Sequence, residues 1–227
     1  MRIARVLVAV LLPVPLLVAC TSTSPAVHHT TSDSTVTQPV TAVKVVNGVG
    51  GVAVHAGTSP NIRIHRAVDY QGDTPPQPGQ AIENGTLVLT ANCRSCSIAY
   101  DLTVPAPVGV TITDSVGTVS LDGLSGPIAV NAASGHVRGT NLHSATVDAQ
   151  ASAGAIDLAF SVAPAQVTAH SKAGAVSVEV PAGPYAVDAR VTVGAIHINV
   201  ANNPNAANHL TLTADVGAVT VNAAQAP

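Results

Sequence analysis

The chain has 227 residues, enough for one or two domains, and its charged residues amount to 9% with a formal net charge of −3. This weak charge excludes a basic face for nucleic acid and gives little electrostatic steering toward any partner. Hydrophobic residues make up 47%, but aromatic residues only 2%, with no Trp and one Phe. The core must therefore be built from Val, Ile, Leu and Ala, which favours a narrow interior.

The first residues have the pattern of an export signal. Arg2 and Arg5 precede an apolar stretch over residues 6–18, which is short for a membrane-spanning helix. Pro13 and Pro15 lie within that stretch and argue further against a retained transmembrane helix. The sequence therefore predicts a signal peptide over residues 1–19.

The end of this segment, Leu17-Val18-Ala19-Cys20, resembles the lipobox of bacterial lipoproteins, with Val18 as a departure that the motif tolerates. The resemblance implies that the Cys20 thiol carries a diacylglyceryl group and that cleavage occurs before Cys20. Two or three acyl chains would hold the protein stably on the extracytoplasmic face of the cell membrane. The alternative is an ordinary signal peptide followed by a chance cysteine, which would leave the protein free.

The rest of the chain divides at residue 40. Residues 20–39 are rich in Ser and Thr and have no apolar period, so we predict a disordered tether there. From Val40 apolar and polar residues alternate, which is typical of half-buried strands. No stretch has a helical apolar period. The sequence predicts one all-β domain over residues 40–224.

A glycine-centred phrase recurs through this domain about every twenty residues, and such a period indicates a solenoid. In every copy the residues seven and five positions before the glycine and two positions after it are apolar. The residue six positions before it is mostly polar. The phrase glycines are Gly50, Gly117, Gly135, Gly154, Gly174, Gly194 and Gly217.

The apolar alternation shifts by one residue at each phrase glycine. A strand that continued straight would turn its apolar residues to opposite faces, so the glycine marks a bend or bulge where backbones approach closely. Each repeat is then two short strands around a glycine corner, stacked as a rung of a single-stranded β-helix, or β-solenoid, with each rung pairing with the next. The same inward and outward pattern also fits an antiparallel β-sandwich or β-roll.

Cys93 and Cys96 are the remaining thiols if Cys20 carries lipid. In an oxidising compartment we expect them to form a local disulfide that closes a tight loop. A redox role would require a cysteine at a helix N-terminus, and a zinc site would require further ligands at suitable spacing. Both remain as alternatives to the structural disulfide.

The run from Cys93 to Pro105, with its cysteine pair and its Tyr-x-Leu-x-Val-Pro strand, is followed by the glycine phrases from Gly117 onward. This order resembles the bacterial family known as "putative adhesins", a domain of unknown function, although the cysteine spacing is shorter here. The resemblance covers most of residues 40–224. It implies the fold and brings no site residues with it.

The sequence contains no Gly-x-Ser-x-Gly, phosphate-binding loop or His-Glu-x-x-His motif. Asp148 and Asp188 would lie in one outward column two rungs apart, about 10 Å, which is too wide for an acid–base pair or a shared cation. Outward histidines such as His136, His170 and His197 fall in different columns, so we expect them to be solvated. We therefore predict no catalytic residue, no metal ligand and no cofactor.

The functional hypothesis is a cell-surface lipoprotein whose solenoid is a binding, adhesion or structural module of the envelope, without catalytic activity. Its partners would be the membrane, through the lipid anchor, and a cell-wall glycan or another envelope protein. One alternative is an envelope polysaccharide hydrolase or lyase on a β-helix scaffold. Another is an accessory or sensory lipoprotein of an envelope regulator.

Overall fold

The computed structural model describes residues 26–224 except 92 and 94, so the predicted signal peptide and Cys20 lie outside the described residues. Strands dominate the described part, in which no helix could span a membrane. The strands are β1 (Val27–Val36), β2 (Ala42–Val49), β3 (Val52–Gly57), β4 (Ile62–Gln71), β5 (Gly79–Glu83), β6 (Thr86–Thr90), β7 (Cys96–Pro105), β8 (Gly109–Val116), β9 (Val119–Asp122), β10 (Ile128–Ser134), β11 (Val137–Leu142), β12 (Thr146–Ala153), β13 (Ile156–Phe160), β14 (Gln166–Ala173), β15 (Val176–Val180), β16 (Pro184–Asn199), β17 (Ala201–Asn202) and β18 (His209–Ala223).

The fold is a β-solenoid, as predicted. Each rung has one strand before its corner and one after it, and strands at the same position in neighbouring rungs pair in parallel. The first face of the solenoid contains the strands before the corners, and the second face contains those after them. In β16 and β18 a single long strand passes through the corner and belongs to both faces. Parallel pairing between the glycine phrases excludes the antiparallel sandwich.

The rungs do not stack in sequence order. In space the order is β6/β7, β2/β3, β8/β9, β10/β11, β12/β13, β14/β15, β18 and β16. The expectation that each rung pairs with the next one in the chain is therefore wrong at both ends. The reason is that every repeat presents the same apolar positions, so the pattern does not encode which rung is the neighbour.

One site expectation changes with this order. Asp148 lies beside Thr168, Thr168 beside Thr211, and Thr211 beside Asp188. The two aspartates are thus three rungs apart, about 14 Å at the usual strand spacing, instead of two. The conclusion that they cannot act as a pair is strengthened.

The core is a narrow column of aliphatic side chains from both faces. Val43, Val45 and Val52 of one rung are at most 1% exposed, and the same positions are buried in the rungs that follow, except in that of β16. Three residues before the corner the interior side chains are small in the middle of the rod, where Ala132 and Ala151 are buried. Strands stacked with small residues inside leave no room for a large aromatic cluster, as the composition predicts.

The phrase glycines form the corners. A Cβ at Gly154 would overlap the carbonyl oxygen of Gly135, the corner glycine of the adjacent rung, and Gly154 has a φ of 140°. This is a conformation that other residues rarely adopt. Positive φ angles recur at Gly50, Gly135, Gly174, Gly194 and Gly217. Gly117 departs from the set, because it lacks a positive φ although it also lies against the adjacent Gly50 carbonyl.

Polar side chains secure two corners from the inside. Asn47 donates from Nδ2 to the carbonyl oxygens of Gly50 and Ile98, at 2.9 and 3.0 Å. Ser171 donates from Oγ to the Gly154 carbonyl at 2.8 Å. Both side chains are buried, so these bonds satisfy groups that would otherwise be costly inside the core.

Antiparallel strands cover one end of the solenoid. On the first face β5 pairs with β6, and on the second face β4 pairs with β7 and β1 pairs with β4. Arg66 of β4 points inward at this end, where its guanidinium lies over the Tyr100 ring and donates to Gln80 Oε1. Because β5 and β4 pair with it, the β6/β7 rung has no unpaired strand edge at this end of the solenoid.

The presence of β1 corrects the sequence analysis, which assigned residues 20–39 to a disordered tether. Residues Val27–Val36 instead form a strand. Its side chains are mostly exposed and polar, so the strand has no apolar alternation to reveal it. It is held by its backbone ladder with β4 and by cross-strand His–Asp pairs, of which His29 Nδ1–Asp69 Oδ1 measures 2.7 Å.

The opposite end is the β16 rung, although β16 is not the last strand in sequence. β18 lies between β14/β15 and β16. Among the described residues, the only strand beyond β16 is the short β17, which pairs with Pro184 and Tyr185. This end of the solenoid is therefore largely open.

Candidate functional site

The cysteine pair has a structural position. Cys93 and Cys96 form the predicted disulfide, with Cα atoms 5.8 Å apart. The segment that they close connects β6 to β7, at the place where the other rungs have a glycine corner. The disulfide therefore completes the corner of a terminal rung, and this position favours the structural interpretation over the redox and zinc alternatives.

The polar residues singled out in the sequence do not converge. Asp148 and Asp188 are three rungs apart on the first face, and among the described residues no group of three or more His, Cys, Asp or Glu side chains could hold a metal ion.

Two of the outward histidines have partners. His136 Nε2 lies 2.7 Å from Asp157 Oδ2, and His170 Nε2 lies 3.2 Å from Asp215 Oδ1. Each pair joins neighbouring rungs. The expectation that these histidines are simply solvated was thus incomplete, since their side chains are half exposed but engaged with carboxylates.

The second face has an irregularity in β11. The register with β13 shifts between Gly139 and Leu142, and Asn141 has a φ of 50°. Leu142 turns into the core, where it lies against the position that a Gly139 side chain would occupy. This is a β-bulge, a feature that often lies beside functional surfaces because it redirects side chains.

A shallow depression of about 270 Å³ lies beside the bulge. Asp157 sits opposite Arg138 on one side and Ser177 on the other, and the small side chain of Ala159 lies opposite Glu179. The depression thus has one cation, two carboxylates and hydroxyl groups on its walls. Its lining is Arg138, Gly139, Thr140, Asp157, Leu158, Ala159, Ser177 and Glu179.

A second depression of about 530 Å³ continues from the first toward the open end. Glu179 is common to both, and Asn199, Asn222 and Ala223 complete the second. Asn199 donates from Nδ2 to Asn222 Oδ1 at 2.8 Å, between adjacent rungs. The two depressions form one continuous polar strip along the second face.

The polar strip consists of outward residues at the third and fifth positions after the corner glycines. Its members are Arg138, Thr140, Asp157, Ser177, Glu179, Asn222 and Asn199. None of them was predicted as a site residue, because the outward position singled out in the sequence was the one six residues before the glycine. A polar residue five positions after the glycine could be recognised in the sequence. However, Glu179, Asn222 and Asn199 are neighbours only in the rung order that the structure shows.

The strip can form hydrogen bonds with hydroxyl groups, since it combines donors on Arg138 and the amides with acceptors on the carboxylates. Asp157 is engaged by His136 and is about half exposed, and no hydrogen bond joins Asp157 to Glu179 among the described residues.

The chain compares with known proteins as follows. A family model described as Toastrack DUF4097 matches residues 86–225. No curated protein matches this chain.

Three solved structures are among those similar to this chain. A "putative cell adhesion protein" from Clostridium sporogenes is 13% identical, with a TM-score of 0.48, over 88% of this chain and 100% of that one. A "putative adhesin" from Bacteroides fragilis is 17% identical, with a TM-score of 0.48, over 88% and 99%. Another from Parabacteroides distasonis is 11% identical, with a TM-score of 0.43, over 85% and 97%.

Proposed function

The chain belongs to the Toastrack DUF4097 family, and from this premise we propose that it is a lipid-anchored envelope protein whose solenoid binds a hydroxyl-rich polymer such as a cell-wall glycan. The observation that carries the proposal is the polar strip on the second face. A sugar hydroxyl both donates and accepts hydrogen bonds, and the strip offers both kinds of partner along several neighbouring rungs.

The length of the strip supports an extended ligand over a small one. Its two depressions share Glu179 and are open along the rod, so a chain-like molecule could contact both. A small molecule would be poorly enclosed, since small-ligand sites usually surround most of their ligand. Neither depression has an aromatic residue in its lining, which makes hydrogen bonding the main source of affinity.

The anchor is the second part of the proposal. Its support is the Leu17-Val18-Ala19-Cys20 segment, and the fold adds a geometric consequence. β1 begins at Val27, so only residues 21–26 separate Cys20 from the folded domain. Six extended residues span about 20 Å, so the covered end of the solenoid would lie close to the membrane surface.

The test is binding of the purified full chain to isolated cell-wall glycan, measured by co-sedimentation. The combined Asn199→Ala and Asn222→Ala substitutions should weaken binding at least tenfold, and Arg138→Ala should weaken it several-fold. The matched control is Thr111→Ala with Thr113→Ala, which removes two exposed polar groups from the first face.

Unchanged binding in the strip variants would contradict the assignment of the site. Failure of the unaltered chain to bind any glycan fraction, together with retention of an envelope protein, would replace the glycan by a protein partner and favour the accessory-lipoprotein alternative.

A further inference from the structure

We propose that the open end of the solenoid is a self-association surface, at which β16 pairs edge to edge and antiparallel with β16 of a second copy. The first support is incomplete burial at this end. Ile196 of β16 is 43% exposed, whereas Val219, its neighbour at the same position in β18, is fully buried. Val187 and Val191 are likewise only partly buried, although they point toward the core column.

The second support is the state of the backbone along the free edge. The Ala186 N–H donates to Asn208 O on the β18 side, so the backbone groups of Val187, Ala189 and Val191 face outward, because they alternate with it. The Val187 N–H is already taken, since it donates to Asn202 Oδ1 at 3.1 Å, so the free part of the edge begins after Val187. Around Ala189 and Val191 the described chain places no further strand, which leaves a template for strand addition.

The third support is charge complementarity, which identifies the occupant as a second copy. Asp188 and Arg190 lie on the outer side of β16, flank Ala189, and are 2.8 Å apart in one copy. If Ala189 is placed opposite Ala189 of a second copy, each Asp188 lies opposite an Arg190. The same register places Val187 opposite Val191, so apolar side chains also meet across the interface.

The charges also exclude the neighbouring registers. Moving the two-fold axis by one residue in one direction places Asp188 opposite Asp188, and moving it in the other places Arg190 opposite Arg190. Like charges directly opposite each other destabilise a strand pair. Of these three registers, only the one with Ala189 opposite Ala189 places unlike charges opposite each other.

The covered end fixes the size of the assembly. A solenoid could also grow by parallel stacking of β16 on the first rung of another copy. The antiparallel strands β5, β4 and β1 block that arrangement. The contact between open ends is isologous and therefore closes at two copies.

The test co-expresses two full-length forms of the chain, each with a different affinity tag, and solubilises them together. Co-purification and sedimentation are the readouts. Asp188→Arg and Arg190→Asp should each reduce the co-purified dimer at least tenfold, because like charges then face each other. Combining the two substitutions reverses both charges and should restore the dimer. Circular dichroism would establish that each variant is folded.

The matched control is Asp148→Arg, which changes the same repeat position in an interior rung. It should leave the dimer unchanged. A monomeric unaltered chain at all concentrations would overturn the proposal, as would folded single variants that still dimerise or a folded double variant that does not. Glycan binding by the strip is a separate readout, so the two proposals can fail independently.

Discussion

The carbonyl oxygen of Gly135 occupies the place where a Cβ on Gly154 would lie, one rung away. The same relationship links Gly154 to Gly174 and Gly174 to Gly217. Corner glycines thus pack directly on one another along an edge of the rod. The glycine is required both by its φ angle and by the closeness of the adjacent backbone.

We predict that Gly154→Ala lowers the free energy of unfolding by at least about 3 kcal/mol, since the new methyl group meets backbone and the residue keeps a strained φ. Urea unfolding would measure it. Gly48→Ala is the matched control, because Gly48 has no atom within 4 Å of an added Cβ and no positive φ. It should change stability by less than about 1 kcal/mol. Similar losses in both variants would refute the corner explanation.

The two buried tyrosines should respond differently to removal of their hydroxyl groups. Tyr185 donates to the Pro181 carbonyl at 2.8 Å, so Tyr185→Phe should cost about 1 kcal/mol. The Tyr100 hydroxyl is buried without a hydrogen bond of normal geometry among the described residues, so Tyr100→Phe should be nearly neutral. Thermal or urea unfolding of the two variants checks this. A larger loss for Tyr100→Phe would contradict it.

Stability should fall at alkaline pH. Burial raises the pKa of Tyr100, an effect that the nearby Arg66 partly offsets, and burial also raises the pKa of Tyr185. In the unfolded chain both ionise near pH 10, while in the folded chain they stay protonated to higher pH. The folded state then holds more protons, so stability present below about pH 10 is lost as the pH rises through the folded pKa values.

The measurement is the urea midpoint between pH 8 and pH 11.5. A variant with Tyr100→Phe and Tyr185→Phe should lose less stability over this range than the unaltered chain. Equal slopes for the two proteins would show that other groups cause the alkaline loss.

Removal of the disulfide should cost about 2 kcal/mol, because closing so short a loop restricts the unfolded chain by that amount in the chain-entropy model. The variant is Cys93→Ser with Cys96→Ser, and chemical reduction of the unaltered chain should give the same shift of the urea midpoint. If the variant loses a bound metal or a redox activity and its stability does not change, the zinc site or the redox role is supported instead of the structural disulfide.

The lipid anchor is tested by membrane fractionation instead of unfolding. Cys20→Ala should release the protein from the membrane fraction, because acylation requires the thiol. Thr21→Ala is a control that leaves the cysteine in place. Persistent membrane retention of the Cys20→Ala protein would refute lipidation.

The repeat and its corners could be predicted because they depend on local pattern. Apolar residues at fixed distances from each phrase glycine specify which way every side chain points, and they did so correctly for buried Val43, Val45 and Val52. The order of the rungs depends instead on which strands pair with each other in space. Leu210 and Val187 occupy equivalent positions, and either could follow Val167 in space.

The polar strip and β1 were missed for related reasons. Asn199 and Asn222 lie in adjacent rungs, but Glu179 contacts Asn222 only because β18 lies beside β15. In β1 the strand is stabilised by its ladder with β4 and by polar pairs such as Asp33 with His65, at 2.8 Å. Neither interaction leaves an apolar period in the sequence.

The position of β18 also constrains how the molecule is made. The last described strand, β18, is an interior rung, and it contributes all of the parallel pairing that joins β16 to the body of the solenoid. During synthesis or export β16 emerges before β18, so its native neighbouring rung is absent until β18 has emerged. Folding from the N-terminus can proceed through β15, and a chain cut before His209 would lose two rungs rather than one.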